Sequence, residues 1–248
     1  MAWYNEPDLE TLNFVVVGGH MAGQGVLQES LTQHPMIICH GTLLGGSDES
    51  RKAMHESYFD DSMHVPDWYQ PDLLSAEQYL SNKVFDNAIH GEQAIGVQLS
   101  YQDIVENDLW DYLQGKCRQG NFCLLHAVRN PVACFIEHLQ VTSQGSHTLC
   151  PDPDRLIRFV REHRSAEAKL NRVFDDSLSI PYHELILDFQ GSLRLILKYL
   201  ECSFSPACVL RKTYGNRQSM QSRVNNWSQL QAELPQDVLE AVTSPTLF

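Results

Sequence analysis

The amino-acid sequence predicts an α/β fold: a three-layer sandwich with helices on both faces of a central, mainly parallel sheet. Three observations carry that expectation. Five apolar runs of strand length alternate with helical patterns, the signature of repeated βαβ units. One run, Phe122-Cys123-Leu124-Leu125-His126-Ala127-Val128, is apolar almost throughout, as a strand covered on both faces must be. The first run, Phe14-Val15-Val16-Val17, leads straight into a glycine-rich turn and a helix.

In chain order, the first strand spans Phe14–Val17 and the glycine turn runs from Gly18 to Gly25. A helix follows over Gly25–Gln33, then a second strand over Met36–Cys39. Gly45–Pro71 carries Asp, Ser, His, Tyr and Trp clusters with two prolines, and reads as a lid or acceptor-side excursion. Its own helical pattern covers Ser50–Phe59, and Trp68-Tyr69 and Tyr58-Phe59 could line an acceptor pocket or pack a lid. A helix over Ser75–Lys83 precedes the third strand, Ala94–Leu99, and a helix over Tyr101–Gln114 precedes the fourth, Phe122–Val128. Helices are expected over Pro131–Thr142 and Asp154–Phe174, with the polar segment Thr142–Pro153 between them. A short strand around Ile180–Tyr182 and helices over Phe189–Leu200 and Ser228–Val242 complete the chain, read as one domain over residues 1–248.

The overall charge narrows the partners. A net charge of −13 and a pI of about 5.2 argue against sequence-independent nucleic-acid binding and against anionic membrane surfaces. No apolar run approaches the ~18–20 residues of a membrane span, and Met1–Glu6 lacks the basic and apolar regions of a signal peptide. Seven cysteines without a CxxC pair, mostly within apolar runs, read as small buried hydrophobes of a reduced, cytoplasmic protein. The eleven histidines show no HExxH or paired spacing, so no metal is expected.

The turn Gly18-Gly19-His20-Met21-Ala22-Gly23-Gln24-Gly25 is the first candidate site. A strand feeding such a turn at a helix start offers free N–H groups and the positive end of a helix dipole to an anion, a phosphate or a sulfate. Gly18 and Gly23 have the glycine spacing of a nucleotide-triphosphate loop, but Gln24 and Gly25 stand where its lysine and hydroxyl would be, which argues against an ordinary ATPase or GTPase. A tight turn without ligand is the plainer alternative. The second candidate is Arg129 in Val128-Arg129-Asn130-Pro131, at the carboxyl end of the fourth strand, where α/β proteins place ligands. Its guanidinium suits a phosphate or a neighbouring carboxylate, and Pro131 suits a first helical turn.

Taken in order, these motifs resemble the PAPS-dependent sulfotransferase superfamily, and in particular its bacterial nodulation and carbohydrate-type members. Val16–Gln28 resembles the 5′-phosphosulfate loop, roughly G-x-x-R/K-S-G-T-T-x-L, and is followed by a helix and His34-Pro35. Met36–Gly41 is similar to the next strand, Ile95–Asp103 to the central strand, and Val128–Pro131 to the 3′-phosphate motif. Ile180–Leu185 is similar to a Y-E-x-L segment, and Arg223–Leu230 to a C-terminal x-N-W/Y-x-E-L segment. The resemblance covers about residues 13–235 and implies the P-loop NTPase-like sulfotransferase fold. It implies PAPS as cofactor, with PAP as product and no metal. It implies transfer of a sulfuryl group to a hydroxyl or amine of a small molecule or glycan.

The resemblance assigns cofactor contacts to Gly19, His20, Met21, Ala22, Gly23, Gln24, Gly25, Arg129 and Tyr182, the last of which could equally be a core-edge aromatic. Arg217 and Arg223, in the densest basic stretch (Arg211, Lys212, Arg217, Arg223), suit cofactor phosphates or else solvated charge on a loop. The serine that the family places eight residues after the 3′-phosphate arginine falls at Glu137, whose charge opposes a phosphate; a shift by one residue brings His138 there.

The departures fall on the chemistry. Met21 replaces the family's charge-neutralising Lys or Arg, and Thr42 replaces the carboxylate base of carbohydrate-type members. Losing a preorganised donor costs ~10²–10³ in rate, and losing a general base ~10²–10⁴. His20, beside Met21, and His40, two residues before Thr42, are the candidate catalytic replacements, or else histidines bonded to local turns. Loop N–H groups survive any side-chain change, so anion binding outlasts these losses. The second reading is a non-catalytic relative that binds a nucleotide, a sulfated ligand or a partner protein.

Overall fold

The computed structural model of the protein describes residues 11–44, 75–85, 92–143, 149–210 and 223–243. The whole Gly45–Pro71 excursion, with the helical pattern and aromatic residues within it, lies outside the described residues, as do Arg211, Lys212 and Arg217.

The five expected strands are present as β1 (Leu12–Gly18), β2 (Ile37–Thr42), β3 (Ala94–Ser100), β4 (Phe122–Val128) and β5 (Leu178–Pro181). They form one sheet in the order β2-β3-β1-β4-β5, every pairing parallel. β1 therefore sits in the middle, with Gly18 level with Ser100 on one side and Ala127 on the other. Ligands of open parallel sheets gather at this carboxyl edge, where the crossover direction reverses.

Side-chain alternation explains why β1 lacks a polar face. Phe14 and Val16 pack into one apolar layer with Leu27, Leu185, Leu193 and Ile196. Val15 and Val17 pack into the opposite layer with Leu80, Ile104, Leu113 and Leu170. All four residues have no exposed surface, so strand and sheet are covered on both sides.

Among the described residues the helices are α1 (Gln24–Leu31), α2 (Ala76–Tyr79), α3 (Tyr101–Glu106), α4 (Trp110–Arg118), α5 (Pro131–Thr142), α6 (Pro153–Val173), α7 (Tyr182–Leu187), α8 (Phe189–Tyr199), α9 (Trp227–Glu233) and α10 (Gln236–Thr243). α5 begins as its sequence suggests. Pro131 takes the first turn and Asn130 Oδ1 accepts the N–H of Val132 at 2.9 Å. α5, α6, α9 and α10 enclose a third apolar cluster that includes Phe135, Ile136, Val160, Leu230 and Val238.

Four expectations need correction. The helix expected over Tyr101–Gln114 is two helices, parted at Asn107-Asp108, where Asp108 has φ 49°. Short polar side chains tolerate that left-handed turn. The helix expected over Ser228–Val242 breaks at Leu234-Pro235, because proline cannot supply the next helical N–H. The Ser75–Lys83 pattern starts as α2 and then widens into π-helical turns over Leu80–Phe85. β5 stops at Pro181, and Tyr182 is the first residue of α7, a helix the sequence reading did not contain.

Candidate functional site

The glycine turn lies at the carboxyl end of β1 and closes on one acceptor. The carbonyl of Gly19 receives the N–H of Ala22 (2.9 Å) and the side-chain amide of Gln24 (2.8 Å). Gln24 and Ala22 are buried, and His20 stands exposed at the rim. Gly23 precedes α1 with φ 105°, and its carbonyl accepts the N–H of Val26 and of Leu27. The N–H groups of Gln24 and Gly25, in the first turn of α1, have no acceptor within the helix. Gly25 is exposed, and a side chain on it would meet nothing nearer than Gln98 Oε1 at 3.9 Å. The turn is thus open where an anion would approach.

Its two flanks are built differently. On the β4 side, Arg129 leaves the end of the strand and donates from Nη1 to the carbonyl of Met21 (2.9 Å). Met21 has φ 64°, a left-handed conformation costly for a side chain. Arg129 Nη2 reaches Glu137 Oε1 at 3.4 Å, and its guanidinium lies 4.0 Å from the ring centre of Tyr182. Arg223 Nη1 donates to the same Glu137 oxygen at 3.0 Å, while its Nη2 donates to Gln140. Tyr182 is 8% exposed, and a Cβ on Gly23 would lie 2.6 Å from its ring, so no side chain fits there. The one-residue ambiguity resolves: Glu137 faces the arginines, and His138 packs edge-on against His20 at 4.7 Å between ring centres.

On the β3 side the turn borders a cavity of about 480 Å³. Gly19, His20, Tyr101, Phe159 and His163 line it, with Glu106 and Glu162 exposed on it. Behind it lies a polar group inside the core. His126, fully buried on β4, is hydrogen-bonded through Nε2 to Tyr101 Oη at 2.5 Å, and the ring of Tyr101 meets that of His163 at 5.0 Å. A Cβ on Gly19 would fall 1.9 Å from His163, so glycine is what admits the imidazole there.

Burial decides the protonation of this flank. It pushes His126 down to about 4, and pushes His163 to about 4 with smaller help from His126 and Arg164. It raises the Tyr101 phenol and the Glu167 carboxyl above their usual ranges. His20 is lowered by partial desolvation and then by His138, with Asp103 pulling the other way. His138 is lowered by desolvation and then by Arg155. The imidazoles around the cavity are therefore neutral near pH 7 and able to accept a proton.

The structure brings together Gly19 to Gly25, Arg129, His138, Tyr182 and Arg223 around one turn, with His20 at the rim of the cavity. It does not bring His40 to that rim. His40 pairs with Val97, which is level with Val15, three positions short of Gly18. His40 thus stands about 10 Å back from the edge along the strand direction and is not part of the cavity wall. Tyr101, His126 and His163 were missed in sequence, although the two histidines each leave a signal. His126 is the one histidine in an apolar strand, and His163 lies on the Leu156/Val160/Leu170 face of an amphipathic helix. Among the described residues there is no cluster of three His, Cys, Asp or Glu able to hold a metal, and no helix long and apolar enough to cross a membrane.

No family model and no curated protein matches the sequence. Among solved structures, the chain is similar to a sulfotransferase from Alicyclobacillus acidocaldarius at 19% identity, over 93% of this chain and 95% of that one, with a TM-score of 0.49. It is similar to the sulfotransferase domain of the Synechococcus PCC 7002 olefin synthase at 13% identity, over 98% of this chain and 92% of that one, with a TM-score of 0.44. A mouse sulfotransferase complexed with PAP is similar at 14% identity, over 80% of this chain and 61% of that one, with a TM-score of 0.41.

Proposed function

We propose that the chain is a sulfotransferase. It draws a sulfuryl group from a nucleotide phosphosulfate, PAPS being the donor that the sequence resemblance implies, and passes it to a hydroxyl or amine of a small molecule or glycan. One observation carries the reading: an open helix-start anion turn borders a cavity, and a proton-accepting imidazole, His20, stands between them. The loop suits the 5′ end of such a donor, since the N–H groups of Gln24 and Gly25 have no acceptor within the helix and Gly25 leaves the approach clear. It does not fit the 3′-phosphate equally well, because both buried arginines already hold Glu137.

The donor, when bound, supplies the sulfuryl group and a phosphate leaving group. This chain's residues do the rest. The N–H groups of Gln24 and Gly25 hold the anionic end. Phe159 and Tyr101 present an apolar wall that excludes water from the acceptor. His20 takes the proton of the attacking hydroxyl or amine. No side chain in the loop supplies the positive charge that would favour the leaving oxygen, because Met21 stands at that position.

Sulfuryl transfer measured over a panel of alcohol, amine and glycan acceptors tests the proposal. His20→Ala should lower turnover ~10²-fold or more, with nucleotide affinity nearly unchanged. Met21→Lys should raise it if the donor lies across the loop. One observation favours the second reading, a binding protein without turnover: the absence of a cation in the loop coincides with a saturated arginine pair. Nucleotide binding with no turnover in either wild type or Met21→Lys would establish that reading instead.

A further inference from the structure

We propose that Glu137 is a resident anion occupying the place of a ligand phosphate between Arg129 and Arg223, and that this chain therefore selects nucleotides lacking a 3′-phosphate. The inference rests on the nucleotide reading of the loop and narrows it. Arg129 and Arg223 carry two guanidinium groups whose side chains are 10% and 6% exposed. Two buried cations this close call for an anion. The chain provides one itself: Glu137 Oε1 lies 3.0 Å from Arg223 and 3.4 Å from Arg129.

The remaining terminal nitrogens are also committed, Arg129 Nη1 to the Met21 carbonyl and Arg223 Nη2 to Gln140. Tyr182 covers a face of the Arg129 guanidinium. Of the two head groups, only the Nε atoms lack a partner among the described residues. Each terminal nitrogen thus already donates to a partner, and the unpartnered Nε atoms are buried away from an incoming phosphate.

The charge balance points the same way. Two guanidinium groups and one carboxylate sum to a single positive charge, while a phosphate monoester brings about −1.5 to −2 at neutral pH. With Glu137 in place the cluster turns negative, and two anions share a poorly hydrated site. Glu137 cannot easily leave. It sits on α5, whose neighbours Val132, Phe135 and Ile136 are locked in the core, and that helix begins two residues after Arg129. A neutral side chain at 137 would free both guanidinium groups at once.

Calorimetric titration of the full chain with adenosine 5′-monophosphate and adenosine 3′,5′-bisphosphate tests this. In the wild type, the monophosphate should bind at least as tightly as the bisphosphate. Glu137→Gln keeps the shape and removes the charge; it should tighten the bisphosphate tenfold or more and leave the monophosphate within twofold. A wild-type preference for the bisphosphate overturns the inference and leaves the proposed function standing. Equal tightening of both nucleotides by Glu137→Gln also overturns it. If neither nucleotide binds either protein, the nucleotide reading of the loop fails, and this inference fails with it. The wild-type comparison needs no variant, so a poorly folding Glu137→Gln does not remove the test.

Discussion

The two flanks of the glycine turn manage buried polar groups by opposite means. Toward β4, charges are kept and paired: Arg129 and Arg223 close on Glu137. Toward β3, charge is removed: His126 and His163 are neutral to well below pH 6; His163 borders the cavity, and His126 behind it is hydrogen-bonded to Tyr101. A saturated ion cluster holds the loop's shape and resists a further anion. A neutral, partly empty flank can admit an uncharged or cationic molecule and take its proton. The difference separates a flank that fixes the loop from a flank that can do chemistry.

Acid should break the neutral flank first and by the largest amount. Both histidines have folded-state values near 4, below the ordinary value of 6.5 that the unfolded chain would show. As pH falls below 6.5 the unfolded chain binds protons before the folded one, so stability is full above that pH and drains away down to about 4. The combined loss should be roughly 5 kcal/mol. Urea unfolding at stepped pH measures it, and His126→Leu should remove about half of the slope even if it lowers stability throughout. An unchanged slope in that variant would contradict the assignment.

Next come the two glycines that seat the turn against its flanks. Gly23→Ala combines a left-handed backbone at φ 105° with an overlap on Tyr182. It should cost about 2–5 kcal/mol, read from urea midpoints. Gly19→Ala meets only the His163 ring, in an ordinary backbone conformation, and should cost less, about 1–3 kcal/mol. It should also shift the cavity-side histidine signals by NMR while leaving those of Tyr182 in place. The reverse order of these two costs would mean that the cavity flank, not the arginine flank, sets the loop.

Arg223→Ala leaves Glu137 with Arg129 alone. Glu137 is 22% exposed, so water recovers part of the loss, and about 1–2 kcal/mol is expected in thermal or urea unfolding. The smallest effect should come from Met21→Gly. Relief of the left-handed conformation at φ 64° is offset by the greater freedom of glycine when unfolded, for a net gain of about 0.5 kcal/mol.

Much of this architecture was legible in the residues. Alternating apolar runs gave all five strands, and Asn130-Pro131 marked the start of α5. Where the reading failed, a local rule outweighed the longer pattern. Asn107-Asp108 and Leu234-Pro235 each cut a helix whose apolar spacing continued across the break. In the site, spacing along the chain located the loop and the strand-end arginine, since both follow from strand ends. It could not reveal that Arg129 and Arg223, on segments far apart in sequence, converge on one carboxylate. It could not show that His40 stops short of the edge, because that depends on the register of β2 against β3. The buried His126–Tyr101 pair likewise joins two elements whose contact only the folded sheet creates.

The central place of β1 also shapes how the chain is made. Thr11, at its start, bonds to Glu92, 81 residues on, and to Asn121, 110 residues on. At synthesis rates of 5–20 residues per second, β1 leaves the ribosome on the order of ten seconds before its second neighbour exists. During that interval Phe14, Val15, Val16 and Val17, which have no exposed surface once folded, have no sheet to enter. Such a strand is a template for pairing with other chains, and the distant partners slow its capture. Refolding yield should therefore fall with protein concentration. It should recover when a holdase chaperone shields β1 until β3 and β4 can pair with it.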